Sequence, residues 1–170
     1  MPKGLKDTSG IIAVSAGVTE TAPNTFTEAE VDLALDPLNN EVFVVLAIDI
    51  NPTPPDAIAA TDTSTRSSVS TTSRTALGTI SDSNVLAESS LNIQAAGFVD
   101  GGVSFTRMAG ETPTAQLEYL GIISTSNFFI QLQGANNGVA KFSNVRVYGY
   151  RARADASIYA ALVQSEVLSA

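Results

Sequence analysis

Glu28, Glu30 and Asp32 recur at every second position, so on an extended chain their three carboxylates leave one face. Carboxylates that converge in a cleft can move protons or hold Ca²⁺. On a single strand face, without the loop that wraps a calcium ion, they are expected to meet solvent or a neighbouring subunit. A second group is Arg146, Tyr148 and Tyr150, followed beyond Gly149 by Arg151 and Arg153. Arginine beside aromatic rings can stack on nucleic-acid bases, but Tyr and Arg are also the residues enriched where proteins meet. Alternation sets Arg146, Tyr148 and Tyr150 on one face and Val145 and Val147 on the other, with Arg151 and Arg153 continuing the second face. In a third group, Arg66 and Arg74 bracket a hydroxyl face that also carries Ser68, Ser70 and Thr72. Acidic and basic patches on separate strands suggest complementary surfaces that meet between copies of the chain.

Other chemistry is closed by composition. The chain has no Cys and no His, which removes thiolate nucleophiles, disulfides, the Ser-His-Asp arrangement and the usual ligands of zinc or copper. A serine or threonine nucleophile would need a lysine or carboxylate partner, and the only lysines are Lys3, Lys6 and Lys141. Gly101-Gly102 fits neither phosphate-loop pattern and reads as a turn. The expectation is a protein that is not an enzyme and carries no cofactor or metal. The formal net charge of −8 opposes coating of nucleic acid, which needs clustered Lys and Arg. Lys3 and Lys6 beside Asp7 are far from a polybasic tail.

Strands must position these groups. Over 27–35, Thr27, Ala29, Val31, Leu33 and Leu35 share one face, as in a half-buried strand. Asp36-Pro37-Leu38-Asn39-Asn40 supplies turn chemistry. The segment 41–50 (EVFVVLAIDI) is apolar on both faces, as in a central strand covered on both sides, with Val42, Val44, Leu46, Ile48 and Ile50 expected on one inward face. The prolines at 52, 54 and 55 should then take the chain out of the sheet. The Ser/Thr-rich stretch 61–75 can be read as a flexible linker, a glycosylated stalk or a polar strand, and its spacing favours an edge or surface strand. Further strands are expected over 91–96, 102–108, 115–123, 127–133 and 139–152. Asp100-Gly101-Gly102 and Ala135-Asn136-Asn137-Gly138 are expected as hairpin connections.

About eight to ten strands with turn signals between them predict an all-β, antiparallel β-sandwich of jelly-roll type. The whole chain, 1–170, is expected to form one domain. Residues 1–9 are expected as a flexible or inter-subunit arm, with no secretion signal in them. The tail 155–170 fits a short helix or a strand, with the helix slightly favoured. The apolar run at 42–50 falls far short of the ~20 residues of a membrane helix.

The start MPKGLKDTSG, the acidic strand TFTEAEVDLAL, the buried strand EVFVVLAIDI, the Ser/Thr/Asn-rich loops and the Tyr/Arg strand VRVYGYRARA together resemble small single-jelly-roll major capsid proteins of tailless icosahedral, marine-type viruses. That resemblance spans the whole chain. It implies eight strands in two sheets, homo-oligomeric capsomers located in the virion, and contact with other virion proteins or an underlying membrane. It brings no catalytic residues with it. Two other readings fit the same composition: a virion decoration, fibre or tail module, and a carbohydrate-binding β-sandwich.

Overall fold

The chain is a nested antiparallel ribbon folded into two sheets, as seen in a computed structural model that describes residues 3–97, 99, 102–108 and 117–168. Its strands are β1 Leu5–Asp7, β2 Ile12–Thr19, β3 Thr27–Asp32, β4 Glu41–Pro52, β5 Thr63–Ser70, β6 Val85–Gln94, β7 Val103–Met108, β8 Gly121–Ile123, β9 Asn127–Ala135 and β10 Phe142–Ala154. A 3₁₀ turn, Pro37–Asn39, precedes β4, and helix α1, Ala156–Leu168, follows β10. Setting β1 and β7 aside, the first of the remaining strands pairs with the last (β2 with β10), the second with the seventh (β3 with β9), the third with the sixth (β4 with β8), and β5 with β6. Rolling that ribbon gives sheet orders β2-β10-β4-β8 and β3-β9-β5-β6, with β1 added beside β10 and β7 beside β6. This is jelly-roll connectivity, and every pairing is antiparallel.

The core lies between the sheets. Phe43, Val45, Ile48 and Ile50 of β4 and Val145 and Val147 of β10 meet Val69, Phe128, Ile130 and Leu132 from the other sheet. A second apolar cluster lies on the outer side of the first sheet, where Val42, Val44, Ala152 and Ala154 are covered by Ile158, Tyr159 and Leu162 of α1. The first half of β4 is therefore covered on both sides, as its continuous apolar run requires.

Several elements differ from the sequence-based expectation. Val42 and Val44 do not share a face with Ile48 and Ile50. The pairing with β10 jumps from Tyr148 opposite Ala47 to Gly149 opposite Val45, so Leu46 is an extra residue and the inward parity switches across it. The strand expected over 27–35 stops at Asp32, where the side chain accepts the Ala34 N–H at 2.7 Å and Ala34 turns to φ 49°. Leu33 and Leu35 are still buried. The strand at 63–70 is not at an edge: β5 lies between β9 and β6 and is mostly buried, because the hydroxyls of Thr63, Ser67, Ser68 and Ser70 find bonds there. Ser67 donates to the Gln131 carbonyl and Ser68 to the Gln131 side chain, both at 2.9 Å. Ala135-Asn136-Asn137-Gly138 does not join a hairpin, since β9 and β10 belong to different sheets. The expected arm contains β1, paired with the end of β10. Strand β2 is not among the expected strands; Ala13, Ser15, Ala16 and Gly17 interrupt its β-branched residues. The tail is helical. Met1 and Pro2 of the arm, Asp100 and Gly101 of the expected turn, Ala115 and Gln116 of the expected strand 115–123, and residues 169–170 lie outside the described residues.

Candidate assembly surfaces

The acidic face of β3 points away from the core, as Ala29 and Val31 on its other face pack inward. Its three carboxylates have separate partners. Glu28 accepts from Ser73 Oγ at 2.6 Å, from the Arg74 backbone at 2.8 Å and from Gln131 Nε2 at 2.9 Å, which ties the loop after β5 across the outer face of its sheet. Glu30 accepts from Asn127, and Asp32 shapes its own turn. Among the described residues no group of three or more acidic side chains converges on a metal position.

Among the described residues, the arginines do not form one patch. Arg74 sits in the loop after β5 and bonds Asp82 at 3.0 Å and Asn84 at 2.8 Å. With the two Thr79 donors, Arg74 helps hold the Asp82 carboxyl below the ordinary aspartate range, the Thr79 backbone N–H contributing most. Arg66 lines a groove of about 440 Å³ on the outer side of the second sheet, with Ser64, Glu88, Ser90 and Asn92. Arg151 is committed within the subunit, donating to Glu41 at 3.1 Å, to the Leu33 carbonyl at 2.8 Å and to the Ala34 carbonyl at 3.1 Å. It pins the turn after β3 to β4. Arg153 reaches Asn39 at 3.2 Å and is exposed.

Arg146, Tyr148 and Tyr150 share one face of β10, as alternation predicts, but that face is divided. Tyr150 packs into the cluster beneath α1, and burial, with Asp7 and Glu118 nearby, raises its phenol pKa. Arg146 lies on the uncovered part, donating to Ser15 Oγ at 3.0 Å on β2, while β10's register sets Asp49 of β4 opposite it on the other side. Tyr148 has Ala13 and Ala47 as register neighbours. The structure thus brings Arg146 and Tyr148 together on an open surface and separates them from Arg66, Arg74, Arg151 and Arg153.

A polar cluster that sequence reasoning missed locks the loops at the other end. Glu20 accepts the Gly134 N–H at 2.6 Å and the Lys141 N–H at 2.8 Å. Lys141, with its side chain 4% exposed, donates through Nζ to Asp56 at 2.6 Å. That bond comes first among the causes that hold the Asp56 carboxyl below its ordinary range, with the Gly138 and Val139 N–H groups adding to it. The one lysine distant from the N-terminus is therefore an ion-pair partner of Asp56. The only local signals were Asn24 and Asn136, which adopt left-handed φ in these loops; the partners lie over 80 residues apart in sequence.

In comparison with known proteins, the chain matches no protein-family model and no curated protein.

Proposed function

We propose that the chain is a structural virion protein, a capsid-shell subunit that assembles with copies of itself through the surfaces of its β-sandwich. The observation that carries this reading is the nested jelly-roll ribbon, the connectivity that the sequence resemblance implies. Its polar end is closed by Glu20, Asp56 and Lys141, and α1 covers part of one sheet, while Arg146, Tyr148 and β2 lie open at the side. Such a body can tile through its sides and present its loops to other virion proteins. Sedimentation velocity of the purified chain tests this reading. The expected result is a cooperative transition from small oligomers to a species of very many copies as concentration rises, and a persistent 17.6 kDa monomer contradicts it.

A second reading rests on the groove beside Arg66. Its hydroxyl and amide lining suits a polyhydroxylated ligand, and the neighbouring strand β7 presents an exposed Phe105, which the register places beside Asn92. A glycan array with wild type and Arg66→Ala separates this carbohydrate-binding reading from the first: saccharide binding abolished by the variant supports it, and no binding removes it.

A further inference from the structure

Among the described residues, several sheet edges in this fold carry a device against strand pairing. Strands β1 and β8 are three residues long, and β3 carries Glu28, Glu30 and Asp32. Short length and charge are the ordinary ways in which an edge avoids acting as a template. Strand β2 has neither. It is eight residues long, IAVSAGVT, without proline, and lies within the uncharged stretch of twelve residues between Asp7 and Glu20. Its approach is apolar, with Ile11 71% and Ile12 37% exposed.

The hydrogen-bond alternation shows which groups of β2 are open. Glu20 donates to the Lys141 carbonyl while, on the opposite side of β10, Thr53 donates to the Phe142 carbonyl. In an antiparallel ladder this parity continues along the strands, so Ile12, Val14, Ala16 and Val18 bond β10 and the N–H and C=O groups of Ala13, Ser15, Gly17 and Thr19 point away from it. Among the described residues no strand pairs with β2 on that side.

We infer that β2 is a pairing edge whose partner is β2 of a second copy, joined antiparallel about a two-fold axis at Ser15. This deepens the assembly reading and rests on it for the identity of the partner. In that register Ala13 faces Gly17 and Ile11 faces Thr19 of the other copy, so the open donors and acceptors of both strands are used together. On the core side Val14 meets Ala16 and Ile12 meets Val18, which extends the apolar row of each sandwich into the other. Identical copies of net charge −8 repel, and this strip lets them meet with no like charges directly opposed. The small side chains at 13, 15 and 17 leave the second strand free to approach. The arrangement is isologous, as a two-fold interface must be.

Amide hydrogen exchange on the full chain, read residue by residue at low and high concentration, tests the inference together with molar mass by light scattering. At high concentration the amides of Ala13, Ser15, Gly17 and Thr19 should slow by at least about tenfold, while those of Val14 and Ala16 are protected at both concentrations. Ser15→Pro removes one outward N–H and keeps the ladder to β10, and should abolish both the slowing and the mass increase. Should that variant lose its circular dichroism signal, Ala13→Lys decides, being an exposed charge on the same edge. Unprotected odd-numbered amides at every concentration, or assembly unchanged in the folded variants, overturn the inference. A β2-paired dimer that never grows counts against the shell reading alone, and a shell with freely exchanging odd-numbered amides counts against the β2 edge alone.

Discussion

Gly149 of β10 lies against the Phe43 ring of β4: a Cβ at position 149 would stand 2.5 Å from Phe43 Cε1 and closer still to the Val44 carbonyl oxygen. The contact sits where Leu46 is bulged out and the two strands close on each other. Since one obstacle is backbone, it cannot swing aside. Gly149→Ala is expected to cost about 1–3 kcal/mol or more, as in other overpacked cores. Urea unfolding followed by circular dichroism measures it, and a midpoint equal to wild type would show that the strands can part freely there.

That bulge marks the boundary of what the sequence made legible. The apolar run 41–50, the alternation over 27–35 and the segment 139–152 identified β4, β3 and β10, though not their ends, because burial on one or two faces leaves a period in the residues. No period announces an extra residue, and Leu46 continues the same apolar run on both sides of the switch. Nor does composition alone place a polar strand. The hydroxyls of Ser67 and Ser68 are satisfied by Gln131, more than 60 residues away, so β5 looks like a surface strand until its partner is known. The candidate surface was partly legible. The alternation that grouped Arg146 with Tyr148 holds in the structure, whereas the pairing of Arg151 with Glu41 depends on a turn that sequence could not orient.

The switch of faces predicts unequal costs along β4. Phe43 is fully buried between the sheets and Leu46 is only half-buried at the bulge. Phe43→Ala should cost about 3–5 kcal/mol and Leu46→Ala distinctly less. Equal losses in a denaturant titration would contradict the placement of Leu46 outside the inward row.

Asp56 predicts a response to acid. Its carboxyl pKa is lowered by the Lys141 hydrogen bond first, and then by the Gly138 and Val139 N–H groups. A carboxyl that releases its proton more readily when folded contributes its full stabilisation above the unfolded value, about pH 4, and loses it as pH falls through the lower folded value. Asp56→Asn should therefore flatten the decline of melting temperature below about pH 4. At neutral pH it should cost about 1–3 kcal/mol, below the range for fully buried pairs because Asp56 is 30% exposed and an Asn oxygen can still accept from Lys141, which loses only its counter-charge. A variant whose acid profile parallels wild type would exclude this pair as a source of the pH dependence.

Glu166 anchors α1 to the sandwich. It is buried and accepts from Ser124 N at 3.0 Å, Ser124 Oγ at 2.8 Å and Thr125 N at 2.9 Å. Glu166→Ala leaves those donors without their acceptor, at an expected cost of about 1–3 kcal/mol. Proteolysis should then cut within α1 before it cuts the strands, and a variant as resistant as wild type would assign the docking of α1 to Ile158, Tyr159 and Leu162 alone.

Electron microscopy of the recombinant 170-residue chain, concentrated until it assembles, tests the shell reading most directly. Closed particles of uniform diameter, whose walls repeat a sandwich of this size, are the predicted result. Isolated monomers or small knobs at every concentration and salt condition would contradict a shell subunit and move the protein to the decoration or carbohydrate-binding reading.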